Sequence, residues 1–174
     1  DEKKWAQNER RRFGADPLIM WVLAGSSIHK VWAGIDTVLA RIMLTFPNAK
    51  VITVGDERCK KMIEEPWVQE ARIIRRSGVW SIRQTMGMAH ACDLVIGPET
   101  GVMNAVAMTT IPKIVLLSHS SVENLTRDWV NTSSVFSVDT PCGPCHKMIY
   151  TWDQCVREEE TGTAQCMVDI HPDQ

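Results

Sequence analysis

The feature that most constrains the fold is a repeated alternation. Short apolar runs at residues 17–24, 50–55, 72–75, 94–96 and 113–117 are separated by stretches of helical character. The clearest such stretch carries Ile35, Val38, Leu39, Ile42, Met43 and Phe46, apolar at i, i+3, i+4, i+7, i+8 and i+11, and closes at Pro47-Asn48. Apolar runs without polar alternation suit strands covered on both faces. Strands that return through helices form right-handed βαβ crossovers and a parallel sheet. The expectation is therefore an α/β, Rossmann-like parallel sheet of five to six strands with helices on both faces, the sixth strand at 135–138.

The flanks divide the chain. Residues 2–13 read as a charged helix stopped by Gly14, so 1–14 is an N-terminal helix or linker and 15–139 the sheet domain. From Thr140 the pattern breaks, and 140–174 is a polar, Cys-bearing segment expected to pack on that domain. A chain of 174 residues can bury one such core.

Several function classes are excluded early. The longest uninterrupted apolar run, 18–24, is far too short to span a bilayer. The opening DEKKWAQNERRRFG has no signal-peptide core, which leads us to expect a cytoplasmic, reducing environment. A net charge of −2 gives no basic field, so no nucleic acid partner is expected. Arg10, Arg11 and Arg12 read first as a solvated helix end, with contact to an anionic membrane surface as the alternative.

Ligands of open parallel sheets bind beyond the carboxyl ends of the strands, where strand order reverses. In the order 3-2-1-4-5 the reversal lies between strands one and four. Their following loops are GSSIHK (25–30) and GPETG (97–101), the most polar, glycine-bearing loops in the sheet. Thr100 and Gly101 open a helix whose unpaired N–H groups suit a phosphate. Lys30 adds a full charge, and Ser26 and Ser27 add hydroxyls. Glu99 repels phosphate and is expected to meet sugar hydroxyls, with helix capping by Glu99 or Thr100 as the simpler reading. The first loop has neither G-x-G-x-x-G nor a P-loop ending. His29 and His119 lie at the same edge, whereas His90 falls in a helical pattern.

The strings AGSSIHKVW, VGDE, DLVIGPETGVMNAVAM, CGPCHK and CMVDI, in this order from about residue 17 to 170, resemble the C-terminal half of the ADP-heptose:lipopolysaccharide heptosyltransferases, inverting enzymes of glycosyltransferase family nine. The resemblance implies a single GT-B C-terminal domain that holds a nucleotide-sugar donor. It implies that Lys30, with Ser26, meets the donor phosphates and stabilises the leaving group, and that Thr100 and Gly101 offer amides to the pyrophosphate. It also implies that Glu57 holds the ribose, that Trp80 lies at the adenine, and that Glu99 meets the sugar. Two positions depart from the family: Glu99 stands where Asp is usual, and Asn104 where His is frequent. The implied partners are the donor, a lipid-linked or glycan acceptor, and a missing N-terminal acceptor domain that carries the catalytic base. Such an acceptor would place the chain at the inner face of a membrane. The chain alone is expected to be inactive.

Cys142, Cys145, Cys155 and Cys166 give C-x2-C-x9-C-x10-C. Four thiols that begin with C-x2-C are one route to a structural zinc site; a disulfide pair and plain reduced thiols are the others. No cofactor is required for the catalysis the resemblance implies. CGPCH also matches a haem attachment string, which normally needs export. Cys59 and Cys92 read as small buried hydrophobes. The alternatives to a donor domain are a nucleotide-binding module without transferase activity and a metal or redox protein centred on the cysteines.

Overall fold

A computed structural model describes residues 2–24, 30–147 and 155–174. Six strands make one sheet: β1 (Leu18–Val22), β2 (Lys50–Val54), β3 (Ile73–Arg75), β4 (Leu94–Pro98), β5 (Lys113–Leu116) and β6 (Thr132–Val135). Their order is β3-β2-β1-β4-β5-β6 and every pairing is parallel. The reversal of strand order thus falls between β1 and β4, as it does in the order 3-2-1-4-5.

The central strand β1 is buried along its whole length, and its side chains divide by alternation. Ile19 and Trp21 enter one layer with Leu39, Met43, Val51 and Ile96. Leu18, Met20 and Val22 enter the other with Ile52, Met88, Val95 and Met103. The first layer is closed by α2 (Ile35–Thr45), whose apolar stripe buries Ile35, Leu39 and Met43. The second is closed by α4 (Ile82–Ala89) and α5 (Gly101–Val106).

Local chemistry sets the ends of these helices. α1 (Glu2–Phe13) stops at Gly14, which takes φ +58, a conformation that glycine adopts without a Cβ clash. α4 starts with a capping box in which the Ser81 hydroxyl accepts from the Gln84 amide and Gln84 reaches back to the Ser81 N–H. Arg10 grips both oxygens of Asp93 at 2.8 and 2.9 Å, and Asp93 also accepts from Leu18 N at 2.8 Å. This fork fastens α1 to the starts of β1 and β4, so Arg10 is committed to an internal partner rather than to a membrane surface. Among the described residues no helix is long and apolar enough to cross a membrane.

One reading changes, and two short elements are irregular. The sixth strand lies at Thr132–Val135 instead of 135–138, and Val138 is 76% exposed. Thr132, Ser133 and Ser134 are polar because β6 is an edge strand, so an apolar run is the wrong signal for it. The chain after β2 is broken into α3 (Glu57–Cys59), a π-helical turn (Lys60–Glu64) and a 3-10 turn (Glu65–Trp67) that holds Pro66. A regular helix cannot run through Pro66, which lacks an amide hydrogen. After β5 the chain makes a single π-helical turn, Val122–Thr126, capped by Ser121.

The C-terminal segment contributes to the core. Ala164, Met167 and Ile170, on and beside α6 (Gln165–Val168), are buried in the layer beneath α2. Trp32 Nε1 donates to Ile170 O at 3.0 Å, and Thr140 Oγ1 to Asp169 Oδ2 at 2.6 Å. These bonds tie the loop after β1, and the chain just past β6, to the same C-terminal turn.

Candidate functional site

At the carboxyl edge of the sheet lies a cleft of 290 Å³, lined among others by Ala24, Gly55, Arg76, Trp80, Thr100 and Gly101. It lies where β1, β2 and β3 end and α4 and α5 begin. Close packing of β1 and β4 at its floor depends on Gly97. A Cβ at that position would stand 2.7 Å from Val22 Cβ and 3.0 Å from Val22 O. Gly101, by contrast, faces open space, with nothing within 4 Å of a would-be Cβ. A ligand can therefore approach the main chain there.

Thr100 is the N-cap of α5, its hydroxyl accepting from Met103 N at 3.4 Å. Capping is thus what the Thr100 side chain does in this structure. α5 spans six residues, less than two turns, so its dipole alone is a weak anion site. The charge comes from Lys30. Its Nζ donates to Glu99 O at 2.6 Å, beside Thr100, and stands 3.8 Å from Glu99 Oε2. Burial lowers the pKa of Lys30, and the Glu99 charge opposes that shift.

Glu99 is 7% exposed, and its carboxylate faces the loop after β5. Oε1 accepts from Ser118 N at 3.2 Å and Ser120 N at 2.9 Å; Oε2 accepts from Ser118 Oγ at 2.6 Å and lies 2.7 Å from His119 Nδ1. An ionised carboxylate only accepts, so Nδ1 carries the proton of that bond. Burial alone would push the Glu99 pKa up. The hydrogen bonds from His119 and Ser118, the His119 charge interaction and the Ser120 amide outweigh it and hold the group at about 2.

The other expected site residues are spread more widely. Glu57 lies at the surface, paired with Lys60 at 2.9 Å. It stands over Gly78, where φ is +64 and a Cβ would collide with the Glu57 carboxylate. The Trp80 ring meets Trp5 edge-on at 5.3 Å and carries the Arg76 guanidinium at 5.6 Å. Asn104 is exposed on α5. Ser26, Ser27 and His29 lie outside the described residues. Arg76 and Thr85, which also line the cleft, were not read from the sequence. Arg76 directly follows β3, and looking beyond the end of that strand, as was done for β1 and β4, reaches it.

All six cysteines are free thiols. Cys59 and Cys92 are buried, as expected, and burial raises both to about 12. The bridge Arg157–Ala164, with Gln165 N bonded to Val156 O, brings Cys155 toward Cys166. Gly143 and Pro144 share a cavity wall with Cys166. Yet among the described residues no group of three or more His, Cys, Asp or Glu side chains is placed to hold a metal ion. Cys142, Cys145 and Cys155 nevertheless lie near enough to Cys166 for their charges to help raise its pKa.

Comparison with solved structures agrees with the fold. No family model matches the chain, and no curated protein does. Among solved structures, ADP-heptose lps heptosyltransferase II of E. coli superposes with a TM-score of 0.70 at 16% identity, over 99% of this chain and 48% of that one. A family 9 glycosyl transferase of Veillonella parvula superposes with a TM-score of 0.66 at 17% identity, over 80% of this chain and 42% of that one. The chain shares the fold of these two glycosyltransferases. It spans less than half the length of either.

Proposed function

We propose that this chain is the donor-binding part of an inverting glycosyltransferase and holds a nucleotide sugar, with ADP-heptose the preferred candidate, for lipopolysaccharide core or related glycan synthesis. The observation that carries this reading is the bond from Lys30 Nζ to the Glu99 carbonyl, directly before Thr100 and Gly101, which line a cleft at the reversal of strand order. A diphosphate in that cleft would meet the Lys30 ammonium and the amides of Thr100 and Gly101. The nucleoside would extend toward Trp80 and Arg76, where an indole face and a guanidinium suit a base.

In the reaction, an acceptor hydroxyl is deprotonated by a base on a second domain and attacks the anomeric carbon with inversion. The glycosidic bond to the diphosphate breaks, and negative charge builds on the leaving phosphate. Lys30 is fixed in advance where that charge grows. A preorganised donor of this kind is worth about 3–4 kcal/mol in transition-state stabilisation. This mechanism needs no metal ion in the cleft.

Calorimetric titration of the 174-residue chain with ADP and with UDP tests the reading. It requires ADP to bind, more tightly than UDP, while the chain alone transfers no sugar. Failure to bind either nucleotide, or robust transfer without a second domain, contradicts it.

A further inference from the structure

The carboxylate of Glu99 has no capacity left for a ligand. Each of its oxygens accepts two bonds at most in good geometry. Oε1 takes the amides of Ser118 and Ser120, and Oε2 takes the Ser118 hydroxyl and His119 Nδ1. The bonds come from three successive residues of one loop, whereas Glu99 belongs to the end of β4. Lys30, from the loop after β1, then bonds the Glu99 main-chain oxygen at 2.6 Å. One residue thus joins the loops that follow β1, β4 and β5.

We propose that Glu99 is a positioning residue, not a sugar ligand: its carboxylate fastens the loop after β5 to the end of β4 and thereby sets the carbonyl on which Lys30 rests. The proposal rests on the donor-site reading of Lys30 and assigns Glu99 a different task from the sugar contact expected of it. The brace extends further, because His119 O accepts from His146 N at 2.8 Å. The CGPCH loop is thereby joined to the same unit. Asn124 Nδ2 and His146 Nδ1, 3.2 Å apart, close it from the other side. A carboxylate that is ionised, 5% exposed and bonded on both oxygens keeps its position only while those four donors are present.

The two roles differ in what they do to a ligand without a sugar. If Glu99 is a brace, Glu99→Gln weakens ADP and ADP-heptose by the same factor, about tenfold, because the loss acts through Lys30. Ser118→Ala produces part of that loss, and the double variant is no worse than Glu99→Gln alone. If Glu99 meets the sugar, ADP binding is unchanged and only ADP-heptose weakens, which overturns the proposal. Amide hydrogen exchange gives a readout independent of any ligand. The N–H groups of Ser118 and Ser120 are protected in the wild type and lose protection in Glu99→Ala, which removes their acceptor, or in Ser118→Ala should that variant fail to fold. Unchanged protection also overturns the proposal. If the wild type binds neither ligand, the donor-site reading fails, and the exchange result still decides the brace.

Discussion

Lys30 and Glu99 meet most closely through main chain: Nζ is 2.6 Å from the Glu99 carbonyl oxygen but 3.8 Å from its nearer carboxylate oxygen. The ammonium is therefore anchored without being neutralised at close contact. It keeps hydrogens to offer an anion, since an ammonium has three donors.

The first prediction concerns acid. Glu99 titrates at about 2 in the folded chain, below its ordinary 4.5. A depressed carboxylate stabilises the fold above its ordinary pKa, and the contribution is lost as pH falls from about 4.5 toward 2. Its upper bound is about 3 kcal/mol, since each tenfold change in acidity is worth ~1.4 kcal/mol. Urea unfolding of Glu99→Gln should show a deficit of that order at pH 7 and a clearly smaller one at pH 3. An equal deficit at both pH values would contradict the assignment.

A second prediction separates base from phosphate. Trp80→Leu should weaken ADP by roughly 10-fold, within the ~1–3 kcal/mol typical of base–aromatic stacking, and leave inorganic pyrophosphate binding unchanged. Arg76→Ala, which removes the cation over the same ring, should act in the same direction. Equal losses for ADP and pyrophosphate would show that Trp80 acts on the fold of the cleft instead.

Thiol labelling gives a third. Cys142 is exposed, whereas Cys59, Cys92 and Cys166 are pushed to about 12, first of all by burial. A thiol with so little thiolate at neutral pH reacts slowly. Cys142 should label first, and these three only on unfolding. One zinc ion per chain, released as Cys142 is modified, would instead place the four C-terminal thiols around a metal.

Packing supplies a fourth. Leu39 is fully buried between α2 and the sheet. Leu39→Ala should cost about 2–5 kcal/mol in chemical denaturation. The same change at Leu44, which is 84% exposed on the same helix, should be close to neutral.

The parts of the fold legible in the sequence were those written in burial. The strand pattern led to a parallel sheet, and Gly14 marked the end of α1. What was less legible depends on neighbours. β6 is polar because it is an edge, so Thr132, Ser133 and Ser134 carry no apolar signal. α6 is too short to show a period, and Met167 and Ile170 are recognisable as core only once α2 stands over them. At the site, Lys30 and Thr100 could be placed from strand ends alone. The partners of Glu99 could not, because Ser118, His119 and Ser120 lie on another strand's loop, and no spacing in the chain links them to GPETG.

Titration of ADP into the wild-type chain and into Lys30→Ala tests the central claim most directly. The account predicts that ADP binds the wild type and that the variant, folded and of near-normal stability, binds roughly 10- to 100-fold more weakly, as loss of a hydrogen bond to a charged group implies. Equal affinity in the two proteins would contradict it.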